Sequence, residues 1–313
     1  MRLNKLKIAD LKTPSNVFSA PLAGYTNAVF RQILFDLGAG LTFCEMVSAK
    51  GLYYGSEKTK ELLKIPENYG GIKACQLFGS DPEIMYGAAA GEDIALFDLI
   101  DINMGCPMPK IFNNGEGSAL MDNFPLAEKI IKAVKRSGKA VSVKFRTGLT
   151  ADKIIASEFA KLCEGAGADM ICVHGRTRDK IYAGEVDFDA IAAAKKAVKI
   201  PVIANGGVFN VADAERLFGE TGADGIMIAR GALYKPQIFA EIAKKPAPDK
   251  RRLYLNMLKG MLKEYGERFA VVYTRKMVAF SLKGEKGAAE MKVKLFNASS
   301  PEELENLINV IYG

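Results

Sequence analysis

Ala140-Val141-Ser142-Val143-Lys144-Phe145 is a short β-branched run, and Met170-Ile171-Cys172-Val173-His174 is another. Between them, residues 152–165 place Ile154, Ile155, Phe159 and Leu162 at helical spacing. Gly167-Ala168-Asp169 follows, and glycine suits a helix C-terminus with a strand beginning soon after. The stretch reads strand, helix, strand. Similar runs recur at 17–20, 41–46, 72–77, 99–103, 201–204 and 225–228. Residues 211–219 repeat the helical pattern through Val211, Ala214, Leu217 and Phe218, and Gly38-Ala39 and Gly222-Ala223-Asp224 repeat the closing signal. Eight strands alternating with helices predict an α/β fold, a (β/α)8 TIM barrel of parallel strands. A doubly wound open sheet is the alternative. It usually has fewer strands, and no G-x-G-x-x-G follows the first run, where a dinucleotide-binding sheet would carry it.

The rest of the 313-residue chain differs in pattern and in charge. Lys244-Lys245-Pro246-Ala247-Pro248-Asp249 is a polar, proline-rich break. Beyond it, Leu255, Leu258, Leu262, Tyr265 and Phe269 keep helical spacing, as do Leu304, Leu307, Ile308 and Ile311. Ser300-Pro301-Glu302-Glu303 is a helix start, with proline at the first position and acids in the first turn. A barrel over residues 1–243 and a small C-terminal α-helical bundle over 244–313 are therefore expected. The formal net charge is +7, and residues 244–313 hold 14 Lys+Arg against 8 Asp+Glu, a net of +6. A nearly neutral body thus carries a basic tail, which is either a solvated lysine-rich face or a surface for a polyanion.

Composition excludes other classes. With 49% hydrophobic and 25% charged residues, the chain is neither disordered nor fibrous. No apolar run approaches the ~20 residues of a membrane helix. The first twelve residues mix Arg2, Lys5, Lys7 and Asp10 into their apolar positions, unlike a signal peptide. Cys44, Cys75, Cys106, Cys163 and Cys172 are odd in number and form no C-x-x-C pair, so neither a disulfide framework nor a zinc site is expected, and a reducing cytoplasm is the natural compartment. His174 is the single histidine, which excludes a two-histidine metal site.

In a barrel of this kind the active site lies at the C-terminal strand ends. Asn205-Gly206-Gly207 and Ala229-Arg230-Gly231 follow the seventh and eighth runs, where barrels commonly bind phosphate. Glycine lets backbone N–H groups approach an anion, and Arg230 can add a charged fork. Gln76, Lys144 and His174 end the third, fifth and sixth strands. Together with a phosphate site they suggest a planar, hydrogen-bonding cofactor with a phosphate tail. Lys144 suits the pyrimidine edge of a flavin, or equally a Schiff base with a sugar phosphate. Cys106 sits after the fourth strand in Asn103-Met104-Gly105-Cys106-Pro107. A free thiol with a pKa of ~8.5 is mostly protonated at neutral pH, so a general acid is the better reading than a nucleophile, which would need a base at hand.

In this order the motifs resemble the tRNA-dihydrouridine synthases over nearly the whole chain. Ala20-Pro21-Leu22-Ala23-Gly24-Tyr25-Thr26-Asn27, Phe30-Arg31 and Glu45-Met46-Val47-Ser48 are similar to the family's opening. The most specific signature is Asn103-Met104-Gly105-Cys106-Pro107, with Lys110 and Gly117-Ser118-Ala119-Leu120-Met121. Val143-Lys144-Phe145-Arg146-Thr147-Gly148, His174-Gly175-Arg176-Thr177-Arg178 with Tyr182 and Gly184, and the two glycine loops complete the set. Arg275-Lys276 lies in a stretch that resembles a helix of the family's tRNA-binding domain. The resemblance implies a flavoenzyme in which NADPH (or NADH) reduces FMN, hydride passes to C6 of an extruded D-loop uridine, and Cys106 protonates C5. It implies FMN contacts at Pro21, Leu22, Ala23, Gln76, Lys144, His174, Asn205, Gly206, Gly207, Ala229 and Arg230, and uracil contacts at Asn103 and Arg178. tRNA is the implied partner of a cytoplasmic, monomeric enzyme without metal. Leu22 stands where the family often has Met, Gly207 where Asp is frequent and Ala229 where Gly is frequent. A flavin enzyme acting on a free pyrimidine would share the barrel but would not need the cationic tail. A Schiff-base lyase would be colourless, and a non-catalytic RNA-binding protein would not require Cys106.

Overall fold

Successive side chains on a strand face opposite ways, so Leu99, Asp101 and Asn103 share one face and Ile100, Ile102 and Met104 the other. In the computed structural model, which describes residues 3–67 and 69–313, that alternation separates the inside of a barrel from its outside. Met1 and Arg2, part of the N-terminal stretch read above, lie outside the described residues.

The barrel strands are β1 (Val17–Ser19), β2 (Thr42–Ser48), β3 (Lys73–Phe78), β4 (Leu99–Met104), β5 (Ala140–Arg146), β6 (Met170–His174), β7 (Val202–Asn205) and β8 (Gly225–Ile228). They pair in parallel in the order β1-β8-β7-β6-β5-β4-β3-β2. Leu41, just before β2, bridges Phe18 and accepts a 2.9 Å hydrogen bond from the Ser19 N–H, which closes the ring. The expected (β/α)8 architecture is the one observed. Inside, the lower layers are apolar: Phe18, Phe43, Ala74, Leu99, Met170, Cys172, Ile203 and Met227 form one buried cluster, with Ile8 of a short N-terminal ribbon joining it. Outside, Ile100, Ile102, Val141, Val143, Ile171 and Val173 belong to a second cluster that meets the helices. Each buried aliphatic side chain there contributes about 1.5–3 kcal/mol of transfer free energy.

The larger barrel helices are α1 (Ala28–Asp36), α2 (Pro82–Ala90), α3 (Phe124–Lys135), α4 (Ala156–Gly165), α5 (Phe188–Ala197) and α6 (Val211–Thr221), followed after β8 by the short α7 (Arg230–Tyr234) and α8 (Ile238–Ile242). Their caps are local. Asn27, Asp81, Asn123, Asp187 and Asn210 each accept a first-turn N–H, and Asn210 and Asp213 form a reciprocal capping box. Gly222 ends α6 with φ +61°, a left-handed conformation that favours glycine. The helix expected from residue 152 begins at Ala156 instead. Ile154 is held in a bridge to Gly148, and the Ile155 N–H bonds to the Thr147 carbonyl at 2.8 Å, so both serve the loop after β5.

The tail folds into α9 (Lys250–Tyr265), α10 (Glu267–Ser281), α11 (Ala288–Asn297) and α12 (Pro301–Tyr312). The single helical register running from Leu255 through Phe269 is broken at Gly266, so Phe269 belongs to α10. Ser300 caps α12 with Pro301 at its start, as expected. Tyr254, Met257, Leu258, Met261, Met277 and Val278 join the same buried cluster as the outer face of the barrel. The Tyr265 hydroxyl accepts from the Ala28 N–H at the start of α1. Among the described residues no helix is long and apolar enough to cross a membrane.

Candidate active site

The inward rows change character as they rise. Leu99 gives way to Asp101 and Asn103, Ala140 to Ser142, Lys144 and Arg146, Ala74 to Gln76, Cys172 to His174, and Ile203 to Asn205. Every other residue on a strand faces inward, so the polar ends converge on one cavity at the C-terminal rim. Its volume is about 460 Å³. Pro21, Leu22, Ala23, Gln76, Asn103, Cys106, Lys144, His174, Asn205, Ala229 and Arg230 all line it. Gly206 and Gly207 line an adjoining narrow lobe together with Arg230, so the glycine loops and the larger cavity are continuous.

Hydrogen bonds set the floor. The Gln76 Nε2 donates to Asp101 Oδ2 at 2.6 Å, and the Ser142 hydroxyl donates to Asp101 Oδ1 at 2.6 Å. Asn103 Nδ2 donates to Gln76 Oε1 at 2.8 Å, while Asn103 Oδ1 accepts from the N–H groups of Gly105 (3.1 Å) and Cys106 (2.9 Å). The Cys106 loop is fixed again from behind, where its carbonyl accepts from the Ser118 N–H and hydroxyl. Arg146 spans the two neighbouring loops, donating to the carbonyls of Gly105 (2.8 Å), Thr177 (3.0 Å) and Ile181 (2.9 Å).

Electrostatics follow from burial. The half-buried Cys106 thiol is pushed above its ordinary value, chiefly by desolvation, with the Met108 backbone N–H, Arg146 and Lys144 opposing, so it stays protonated at neutral pH. The other four cysteines are buried. His174 is driven well below 6.5 by burial and then by Lys144, Arg146, Arg176 and Arg230, so it stands neutral. Desolvation lowers Lys144 from 10.5, and it pushes Asp101 up to about 6.

The end of the cavity at the glycine loops is shaped by backbone. Gly206 has φ +131° and Gly207 φ +73°. A Cβ on Gly206 would come within 3.1 Å of Val186 and 3.2 Å of His174, tighter than ordinary packing. Arg230 lies over Tyr182, 4.7 Å from the ring centroid. A pocket of this size, with a glycine cradle and an arginine at one end and amide, lysine and imidazole groups along its length, fits a flavin with a phosphate tail.

Arg178 is the one expected contact that stands apart from the cavity wall. Its guanidinium stacks 3.8 Å from the Phe112 ring centroid, and its N–H bonds to the Gly148 carbonyl. Arg146, Met46, Tyr25, Tyr182, Tyr234 and Phe280 line the cavity without having been singled out as site residues. For Arg146 the signal was parity with Lys144. For Phe280, on α10, only the tertiary fold brings the tail to the mouth, where its ring lies 5.7 Å from both Tyr25 and Tyr234. Among the described residues no cluster of His, Cys, Asp and Glu could hold a metal ion.

A closed parallel barrel with a cavity at its C-terminal rim is an enzyme fold that solved reductases share. Solved structures with the same fold include morphinone reductase (TM-score 0.57, 15% identity, 80% of this chain and 91% of that one) and a 2-naphthoyl-CoA reductase complex (0.58, 12%, 77% and 51%). The family model for dihydrouridine synthase matches residues 18–311, and the chain belongs to that family. The tRNA-dihydrouridine synthase B of Vibrio parahaemolyticus is 35% identical over 96% of this chain and 97% of its own length. The protein of that name from Pseudomonas putida is 36% identical over 95% and 90%.

Proposed function

We propose that the protein binds FMN in the barrel cavity, takes reducing equivalents from NADPH, and converts a D-loop uridine of tRNA to 5,6-dihydrouridine. FMN supplies the hydride that C6 of the uridine receives. Cys106 supplies the proton to C5, and the observation that carries this reading is its thiol, kept protonated on a loop pinned at the cavity wall. Asn103 holds that loop and faces the uracil. Gln76, Lys144, neutral His174 and Asn205 orient the flavin ring, with Lys144 offering its positive charge to the reduced pyrimidine edge. Pro21, Leu22, Ala23 and Ala229 wall the ring, and Gly206, Gly207 and Arg230 hold its phosphate. Arg178 would reach the uracil only by leaving Phe112.

Residues 1–243 act as the catalytic domain and residues 244–313 as the tRNA-binding domain, in a monomeric cytoplasmic enzyme. The target base leaves its stack to reach a cavity this deep. Purified protein should be yellow, and with NADPH it should form dihydrouridine in unmodified tRNA. Cys106→Ala should still bind tRNA and let NADPH bleach the flavin, yet yield little dihydrouridine, since a positioned acid contributes about 10²–10⁴-fold. A colourless protein that FMN cannot reconstitute, or full turnover by Cys106→Ala, would overturn the reading.

A further inference from the structure

Asp101 is fully buried beneath the cavity, does not line it, and meets its wall through Gln76. We propose that Asp101 is a positioning residue that sets the orientation of both amides in the site and, through them, the Cys106 loop. The argument is one of donors and acceptors. An ionised carboxylate only accepts. Its Oδ2 therefore takes the Gln76 Nε2 at 2.6 Å and turns the Gln76 carbonyl towards Asn103. That carbonyl takes the Asn103 Nδ2 at 2.8 Å, which turns Asn103 Oδ1 to the backbone N–H groups of Gly105 and Cys106. Reversing Asn103 would set donor against donor at the Cys106 N–H, and reversing Gln76 would do so at Asn103 Nδ2 and set acceptor against acceptor at Asp101. Ser142 is the adaptable end, because its hydroxyl can donate or accept.

The proposal rests on the cavity being the flavin site only for its cofactor readout. Its geometric readout is alkylation of Cys106, which a thiol reagent reports alone because the other cysteines are buried. Asp101→Asn can offer its oxygen to Gln76 and its amide to Ser142, so FMN affinity and the alkylation rate should stay within about twofold of the parent. Asp101→Leu leaves Gln76 Nε2 unpaired, and both FMN dissociation constant and alkylation rate should rise by about tenfold, the cost of one orphaned buried donor. Should Asp101→Leu not fold, the pair Asp101→Asn with Ser142→Ala removes what orients the new amide, and both readouts should again rise above those of Asp101→Asn alone. Leucine, or that pair, matching the parent in both readouts would overturn the proposal, as would Asp101→Asn failing as badly as leucine. If the parent takes up no FMN, the cofactor reading fails, while the alkylation comparison still decides the role of Asp101.

Discussion

The Nζ of Lys276, on α10, lies 2.9 Å from the carbonyl oxygen of Gly24, in the loop that follows β1. The same ammonium sits over the Tyr25 ring, 4.1 Å from its centroid, and the Tyr273 hydroxyl donates to the Tyr25 carbonyl. Gly24 in turn gives its N–H to Glu45 on β2. Residues 21–23 of this loop line the cavity, so the tail helix braces a wall of the proposed cofactor site.

Truncation at residue 243 should therefore do more than weaken RNA binding. It uncovers the shared apolar layer around Tyr254, Met257, Leu258 and Met261, about 1.5–3 kcal/mol each against a typical total of about 5–15 kcal/mol. The shortened chain should lack a cooperative melt at the parent temperature, read by circular dichroism. Lys276→Met should keep the melt within a few degrees and weaken FMN binding severalfold. A truncated protein that melts like the parent and keeps its flavin would contradict this.

In the proposed reaction the Cys106 thiol, raised above its ordinary value, serves as the acid across the neutral range and is lost only as pH climbs through that elevated value. Single-turnover dihydrouridine formation should be flat from about pH 6.5 to 8.5 and fall on the alkaline side. In Cys106→Ser the residual rate should lack that alkaline fall. A rate that rises with pH would speak for a thiolate instead.

Asp101 has a folded pKa of about 6 against about 3.9 for a free aspartate, so its ionised form opposes folding. That cost is present above pH 6 and vanishes as pH falls below about 4, since both states are then protonated. Two units correspond to about 3 kcal/mol as an upper figure. Asp101→Asn should accordingly melt several degrees higher at pH 7.5, with the gap closing near pH 4.5. An equal gap at both pH values would rule out ionisation as the cause.

Gly206→Ala should strain a backbone at φ +131° and push its Cβ against Val186 and His174. A loss of about 1–3 kcal/mol in stability is expected, with weaker FMN binding. Ala at Gly138, whose Cβ would meet open space at φ +78°, should cost stability but leave FMN affinity unchanged. Equal FMN affinities for the two variants would remove Gly206 from the phosphate cradle.

The tail's charge is partly used internally. Arg275 donates to the carbonyls of Phe296 and Ala298, and Lys263 pairs with Glu67. Exposed Lys259, Arg268 and Lys286 are better candidates for phosphate. Neutralising them should flatten the salt dependence of tRNA affinity by up to about one unit of slope per charge that meets a phosphate. Filter binding across a salt series reads this; an unchanged slope assigns these three to solubility.

Much of this was legible in the sequence because strand runs and phosphate loops are local signals. Gln76, Asn103, Lys144, His174 and Asn205 share a parity within their strands that any reader can count. Asp101 and Ser142 share it too, but lie one step below the rim, and nothing local distinguishes a buried carboxylate from a surface one. The break at Gly266 escaped because Leu255 to Phe269 keeps its spacing across it. Phe280 and Lys276 meet Tyr25 and Gly24 at the cavity's mouth through contacts some 250 residues apart, for which spacing carries no signal.

The alternation of the inward rows has a consequence for how this chain can vary. One residue inserted early in β4 would turn Asp101 and Asn103 towards the helices and bring Ile100 and Ile102 into the lumen. The composition would hardly change, yet the site would be gone. Length between the strand starts and the rim is thus under tighter constraint than the identity of the apolar residues that fill it.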